Sequence, residues 1–555
     1  MPKTSATISF GLIDVTAKPD TTVTASDKQS FIDVQDLALD GVCPAPSATL
    51  EKDYWKLDGS YEPFPDSPQN TSWGIWSNSM SDENGNFSVP PVIELSFQNA
   101  HKTAGLTFEF CPYGNNYCNH MLIQWYLDDA VIKEAEFYPA VWRCEYRCTV
   151  EKYNKLIITF YSTNKPYRYL KVQNIQHGIN EYFSEDEIET ASVLEEVDIS
   201  ALELSVNTLE FRLRTVNDDF DIFNPKGLYN LLQKKQQLCV EGYVDGGLIN
   251  FGYFYLDNWN DDEGETELTA QDAIGIMSNT TFKGNIYEGV KALNVIDEIM
   301  NDAGFGYSVD SRIGDMKISG WLPICTHREA LQQVAFALGA YVDTSRGGMV
   351  RIRFGADEDV IYNIGMDRKA VGSSATLKEY ISGVSITEHS YVLGTTVEEL
   401  YKGNLYAGDN EITFSEPSVV TAVSGGTLKE SGVNYCIVNM TADGEVIVKG
   451  KKYTDNTSVI TVNADTVAAG EKENIKTVTD ATMINNKNSL YVAQMLLNSY
   501  QKRIEQNLSF VLNRETVGSN ASVEIYENYF KNAVITKLET DLVNGFVTKA
   551  VVIGE

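Results

Sequence analysis

The amino-acid sequence predicts a mainly β protein that carries a small α/β part. Apolar and polar residues alternate with a period of two along many short runs, such as 204–213 and 533–538. Turn signals separate the runs. Asp245-Gly246 stands between two strand-like stretches, and Asp443-Gly444 repeats the device, so a hairpin is expected at each. Three segments carry the 3.6-residue period of an amphipathic helix.

Residues 291–303 place Leu293, Ile296 and Met300, then Val295, Ile299 and Ala303, at three- and four-residue spacing, and Gly304 follows as a stop. Thr326 and Glu329 form the S/T-x-x-E capping pair ahead of a helix over 327–338. Its stripe is Ala330, Leu331, Val334, Ala335 and Leu338, and Gly339 closes it. A third helix over about 488–504 aligns Ala493, Leu496, Leu497, Tyr500 and Ile504. Many strands with few helices point to barrels or sandwiches plus one small α/β unit.

Composition narrows the function. The 555 residues fit roughly three to five domains. Hydrophobic residues at 43% and aromatics at 11% exclude a disordered chain. Acidic residues outnumber basic ones 77 to 44, for a net charge of −33, which excludes the basic footprint of a dedicated nucleic-acid binder. That charge serves solubility, or it lines a channel through which a polyanion slides without sticking; composition leaves both open. The N-terminal run 6–12 alternates and is no signal-peptide core, and no stretch approaches the ~18 apolar residues of a membrane span. A soluble chain made in the cytoplasm is expected. Eight cysteines are too few for a disulfide scaffold.

Composition shifts suggest boundaries. Residues 42–85, rich in Pro, Asp, Ser and Asn, read as an irregular connector, and 90–177 as a dense block of aromatic strands. Residues 181–198 carry eight acidic residues and no Lys or Arg, the pattern of a solvated linker. Strands resume at Ile199, and 409–478 read as a small all-β insert.

Candidate chemistry is sparse. Cys111, Cys118, Cys144 and Cys148 fall within 38 residues, with His120 nearby, and four soft ligands suit zinc or a disulfide. Their C-x6-C and C-x3-C spacings are not zinc knuckles, so packing is the preferred reading. Cys43, Cys239, Cys325 and Cys436 are scattered and read as buried. Cys325 and His327 lie too close in sequence, at a helix start, to form a dyad. The acidic pairs Asp218-Asp219 and Asp261-Asp262 carry little information among 77 acidic residues. No nucleophile elbow, phosphate loop or dinucleotide fingerprint stands in context, and no cofactor is implied. Trp55, Trp73, Trp76, Trp125 and Trp142 all precede residue 150. The first four are candidate glycan contacts, with a sandwich core as the competing reading.

Several stretches resemble the tail hub proteins of Firmicutes phages and prophages. These are Leu204-Ser205-Val206-Asn207-Thr208-Leu209-Glu210-Phe211, Phe223-Asn224-Pro225-Lys226-Gly227-Leu228, Gly252-Tyr253-Phe254-Tyr255-Leu256-Asp257-Asn258-Trp259 and Ala270-Gln271-Asp272-Ala273-Ile274-Gly275. The segment 319–333 resembles the central α/β part of those proteins, and the last helix with Asp541-Leu542-Val543-Asn544-Gly545-Phe546 resembles their closing barrel. The runs 93–97, 105–110 and 156–171 look like a galactose-binding-like jelly roll.

The resemblance implies N-terminal hub strands in 1–45, an inserted jelly-roll-like sandwich in 46–180 and a first hub barrel in 181–285. It implies a central α/β domain in 286–375, a second hub barrel in 376–412 and 479–555 with the C-terminal helix, and a small all-β insert in 413–478. It further implies a non-enzymatic structural subunit of a virion tail tip or baseplate. Three copies form a ring between the tail tube and the spike or tip, and DNA or cargo passes through it. Expected partners are further copies of the chain, a distal tail or tube protein, and a tape-measure or spike protein. Host cell-wall glycan joins them if the sandwich is a carbohydrate-binding adhesin, the alternative function. The chain ends at Glu555 after that barrel, so no enzymatic tail is expected. Arg212, Arg214, Arg351 and Arg353 are candidate intersubunit contacts, because basic residues are rare in so acidic a chain.

Overall fold

The computed structural model describes residues 3–38, 46–62, 73–214, 220, 224, 227–262, 265–355, 357–464, 470–526 and 528–555. Cys43, Asp218, Asp219, Phe223, Pro225 and Lys226, named above, lie outside the described residues.

A 13-stranded sheet forms the body of the molecule. Seven strands make one half: Thr4–Ile13, Gly178–Phe183, Ile188–Glu196, Thr208–Arg214, Gln237–Val244, Gly247–Asp262 and Glu265–Gln271. Six make the other: Asp357–Ile364, Ser374–Leu377, Ile504–Val511, Ser519–Ile525, Asn528–Asp541 and Val547–Gly554. Alternation sets the inward face, as where Leu209, Phe211 and Leu213 are buried between more exposed neighbours. The halves meet where Ser192–Glu196 pair antiparallel with Asp541–Lys537, and they share one hydrophobic core. This corrects the linker reading of 181–198. Four of its eight carboxylates sit on paired strands, and Ile188–Glu196 is the seam strand itself. Ala191 and Val193 alternate inward there, and that burial outweighs the charge run. Asp245 and Gly246, at φ of 48° and 81°, form the tight turn of a true hairpin, with Val244 opposite Gly247.

The sandwich is a seven-stranded sheet folded over on itself. Its two longest strands, Val92–Phe110 and Arg143–Thr163, slip register at several points between Ser96 and Gly105, so each serves both layers. Gly105, at φ 157°, sits where a Cβ would lie 2.2 Å from the Tyr146 carbonyl. The sheet reaches beyond the boundaries read from composition. Thr21–Ala25 pairs with Val92–Phe110, and Ile75–Met80 pairs with Tyr169–Gln176, so part of the expected connector is strand.

The central unit packs helices Ala292–Ala303 and His327–Leu338 over short strands around a second core. Thr326 and Glu329 make the reciprocal capping box, and Gly304 and Gly339 close the two helices in the left-handed conformation. Helix Ser489–Gln501 buries Val492, Ala493, Leu496 and Leu497 in this same core, not in the second barrel. Gly383–Glu388, Ser458–Asn463 and Ile475–Val478 form a three-stranded sheet that also packs here, whereas Asp357–Ile364 and Ser374–Leu377 pair with the second barrel. The small β unit therefore starts upstream of 413, at Tyr391–Leu393, and ends with Gly444–Asp455. Asp443-Gly444 turns no hairpin: Tyr435–Met440 pairs with Gly408–Thr413 and Thr427–Ser431, while Gly444–Asp455 pairs with Glu398–Leu405 and Ser418–Ser424. No helix among the described residues is long and apolar enough to cross a membrane.

Candidate functional site

The densest buried polar chemistry lies where both barrels meet the central unit. Glu195 occupies an inward position of the seam strand and is fully buried. Arg346, from the turn after Tyr341–Asp343, donates from Nη2 to Glu195 Oε2 at 2.7 Å and to the Glu515 carbonyl at 3.0 Å. Its guanidinium stands 4.5 Å from the Phe251 ring centroid. Burial pushes the Glu195 carboxyl up, and the Arg346 charge opposes that push. Glu515, also buried, accepts from Arg368 Nη2 at 2.7 Å and from the backbone N–H of Asn513 at 2.7 Å. Phe546, from the Asp541–Phe546 stretch, packs edge-on against Phe251 at 5.7 Å. Gly242 leaves room for both rings, since a Cβ there would lie 2.7 Å from each. First barrel, central unit and second barrel are thus tied by paired charges in a buried site. This arrangement fixes orientation; it presents no nucleophile.

A second polar clasp ties the sandwich to the first barrel. His101 Nδ1 and Nε2 each lie 2.9 Å from a carboxylate oxygen, of Asp14 and of Asp20 respectively. Asp14 directly follows the barrel strand Thr4–Ile13. Burial pushes the Asp14 carboxyl up, but hydrogen bonds from Thr16 and His101 outweigh it and hold it below the ordinary carboxylate value. Beside them, burial lowers His177 to about 4, against the pull of Asp14, and Tyr153 Oη lies 3.1 Å from its Nδ1. A third buried pair, Lys171 with Glu51, pins the 46–62 segment to the sandwich; the ammonium lies 4.0 Å from the Tyr54 ring centroid and 4.8 Å from that of Trp76.

The residues singled out from sequence are placed as follows. Trp73, Trp76 and Trp125 are buried. Trp73 and Trp76 meet edge-on at 5.4 Å and Phe31 packs on both, so these three tryptophans are core, not glycan platform. Trp55 is 37% exposed, as is Trp142. Cys111, Cys118, Cys144 and Cys148 are free thiols, and no metal-ligand group of three or more His, Cys, Asp or Glu occurs among the described residues. Burial pushes the Cys118 and Cys144 thiols up to about 12 each. Cys436 is buried, while Cys239 and Cys325 are half-buried. His327 does not face Cys325 as a base: its Nδ1 lies 2.9 Å from Thr280 Oγ1 and its Nε2 3.0 Å from Asp302. Arg212 pairs with Glu265 at 3.0 Å, and Arg351 and Arg353 lie 2.8 and 3.5 Å from Asp343, all within the chain. Arg214 is exposed at its strand end.

No family model matches the chain, and no curated protein matches it. Solved structures resemble it. The tail protein from Neisseria meningitidis MC58 aligns at 9% identity with a TM-score of 0.41, covering 68% of this chain and 94% of that one. A prophage tail protein from Listeria monocytogenes EGD-e aligns at 11% identity with a TM-score of 0.38, covering 68% and 91%. The family 32 CBM from C. perfringens NanJ, solved in complex with galactose, aligns at 10% identity with a TM-score of 0.20, covering 31% and 99%. At scores of 0.41 and below, these likenesses assign no family.

Sequence reasoning missed the Glu195–Arg346 and His101 clusters. One signal for the first was legible: Glu195 shares the inward phase of Ala191 and Val193. Nothing local to His101 announces that residues 81 and 87 positions away face it.

Proposed function

We propose that the chain is a structural hub subunit of a phage or phage-like tail, three copies of which form a ring between the tube and the tip. The observation that carries this reading is the single 13-stranded sheet, in which two barrels are locked side by side by the seam and by the buried Glu195–Arg346 pair. A subunit that supplies two rigidly coupled barrels doubles the symmetry of a threefold ring to pseudo-sixfold. The stretches that resemble tail hubs fit the same reading, for Phe546, in one of them, packs on Phe251, which directly precedes another, across the barrels. The net charge of −33 suits a lumen that passes DNA without binding it. Mass photometry and negative-stain imaging of the purified chain test the reading. A particle of three chain masses with a central pore is expected; a monomer at all concentrations counts against self-assembly of the ring.

A second reading, adhesion to wall glycan, keeps one observation in its favour after the loss of the buried tryptophans. Tyr138, Val141, Trp142 and Tyr182 stand exposed, and Tyr138, Val141 and Tyr182 border a groove of about 520 Å³ on the sandwich and the adjoining barrel edge. Glycan-array binding that is lost in Tyr138→Ala supports this reading.

A further inference from the structure

A cleft of about 350 Å³ opens where the central unit, the neck of the small β unit and the turn before the last helix meet. Its size falls in the range of small-molecule sites, and such sites favour domain junctions. We propose that this cleft binds one neutral sugar residue. The proposal is independent of the sandwich groove and rests on the chemistry of the cleft wall.

Tyr287, Tyr391 and Tyr453 supply the aromatic lining. Tyr391 is held rigidly: it lies parallel to the His389 ring at 6.0 Å and edge-on to Trp321 at 5.9 Å. His389 is itself fixed by Asp455, 2.7 Å from its Nδ1. Beside this wall, Glu388 presents a pinned carboxylate. The hydroxyls of Ser458 and Ser489 each donate to it at 2.6 Å and hold it below the ordinary carboxylate value, so it stays an anion and an acceptor. Asn486 and Lys487 bring donors from the exposed turn, and Glu288 adds an acceptor from the opposite strand.

A sugar ring offers one apolar face and a rim of hydroxyls that both donate and accept. An aromatic wall with a fixed carboxylate, a second carboxylate and an amide matches both features. Two carboxylates against the single Lys487 ammonium leave the lining net negative and disfavour phosphate and uronate, and the polar lining disfavours a lipid or other apolar guest. Glu388, His389 and Tyr391 are already held by their neighbours, so they lose little rotamer entropy on binding.

Saturation-transfer NMR on the full chain tests the proposal, with galactose, glucose, N-acetylglucosamine and N-acetylgalactosamine as probes and glycerol phosphate and glucuronate as anionic controls. At least one neutral sugar is expected to bind at about millimolar Kd, with no transfer to the anions. Asn486→Ala, on an exposed turn where folding is not at stake, is expected to weaken binding about fivefold or more, and Glu388→Gln likewise. Tyr138→Ala, on the sandwich groove, is expected to leave it unchanged. Absence of transfer to every neutral probe, binding that survives both cleft substitutions, or preferential binding of an anion would each overturn the assignment. The oligomeric state, read separately, reports on the hub reading whichever way this comes out.

Discussion

Arg346 closes a buried charge pair between elements 151 residues apart in sequence. Arg346→Met leaves the Glu195 carboxylate buried without its partner and is expected to cost about 3–5 kcal/mol, read as a loss of thermal and denaturant stability. The double variant Glu195→Met/Arg346→Met removes both desolvation costs and is expected to recover most of that loss. Gly242→Ala is expected to cost about 1–3 kcal/mol, since its Cβ would meet Phe251 and Phe546 at 2.7 Å. His177 sets a pH dependence. Its pKa falls from 6.5 to about 4 on folding, so between those values the unfolded chain binds a proton that the folded chain does not. Stability therefore drops as pH falls through that window, by up to about 3 kcal/mol. Asp14 and Asp20, both lowered on folding, add to the loss as the pH falls further through the carboxylate range; Lys18 and His101 share this environment. A series of melting curves from pH 7 to 4 checks this, and His177→Gln is expected to flatten the upper part of the profile.

Helices and hairpins followed from local chemistry where the signal was complete. The capping box at Thr326 is one such case: Thr326→Ala removes acceptors for the Glu329 N–H and is expected to cost about 1 kcal/mol by denaturant titration. The Asp245-Gly246 hairpin is another, for its two left-handed residues suit the twist of the flanking strands. Asp443-Gly444 carries the same dipeptide, yet the strands on either side pair elsewhere, because partner strands upstream compete for both. The acidic run at 181–198 misled for a related reason. Outward-facing carboxylates on a paired strand are solvated as well as those on a linker, so charge alone does not distinguish the two.

At the scale of the whole molecule, charge opposes assembly. Each copy brings −33 charges, and bringing three together raises repulsion that salt screens over about 10 Å at 0.1 M. Self-association is therefore expected to strengthen with added sodium chloride, measured by mass photometry across a salt series. Weakening with salt would instead indicate an interface dominated by ion pairs, with the exposed Arg214 a first candidate to substitute.

The β class, the three amphipathic helices and the presence of an aromatic sandwich were determined by periodicities within a few residues, and those periodicities survive in the folded chain because each buries one face. Which strand pairs with which was decided only in three dimensions. The 13-stranded sheet joins strands from Thr4–Ile13 to Val547–Gly554, and the last helix leaves the second barrel for the central core. Burial of Trp73, Trp76 and Trp125, the use of Arg351 and Arg353 on Asp343, and the Glu195–Arg346 pair all depend on contacts between distant segments. A side chain's type is local, but the dielectric and the partners around it belong to the packed fold, and those set whether it is core, clasp or contact.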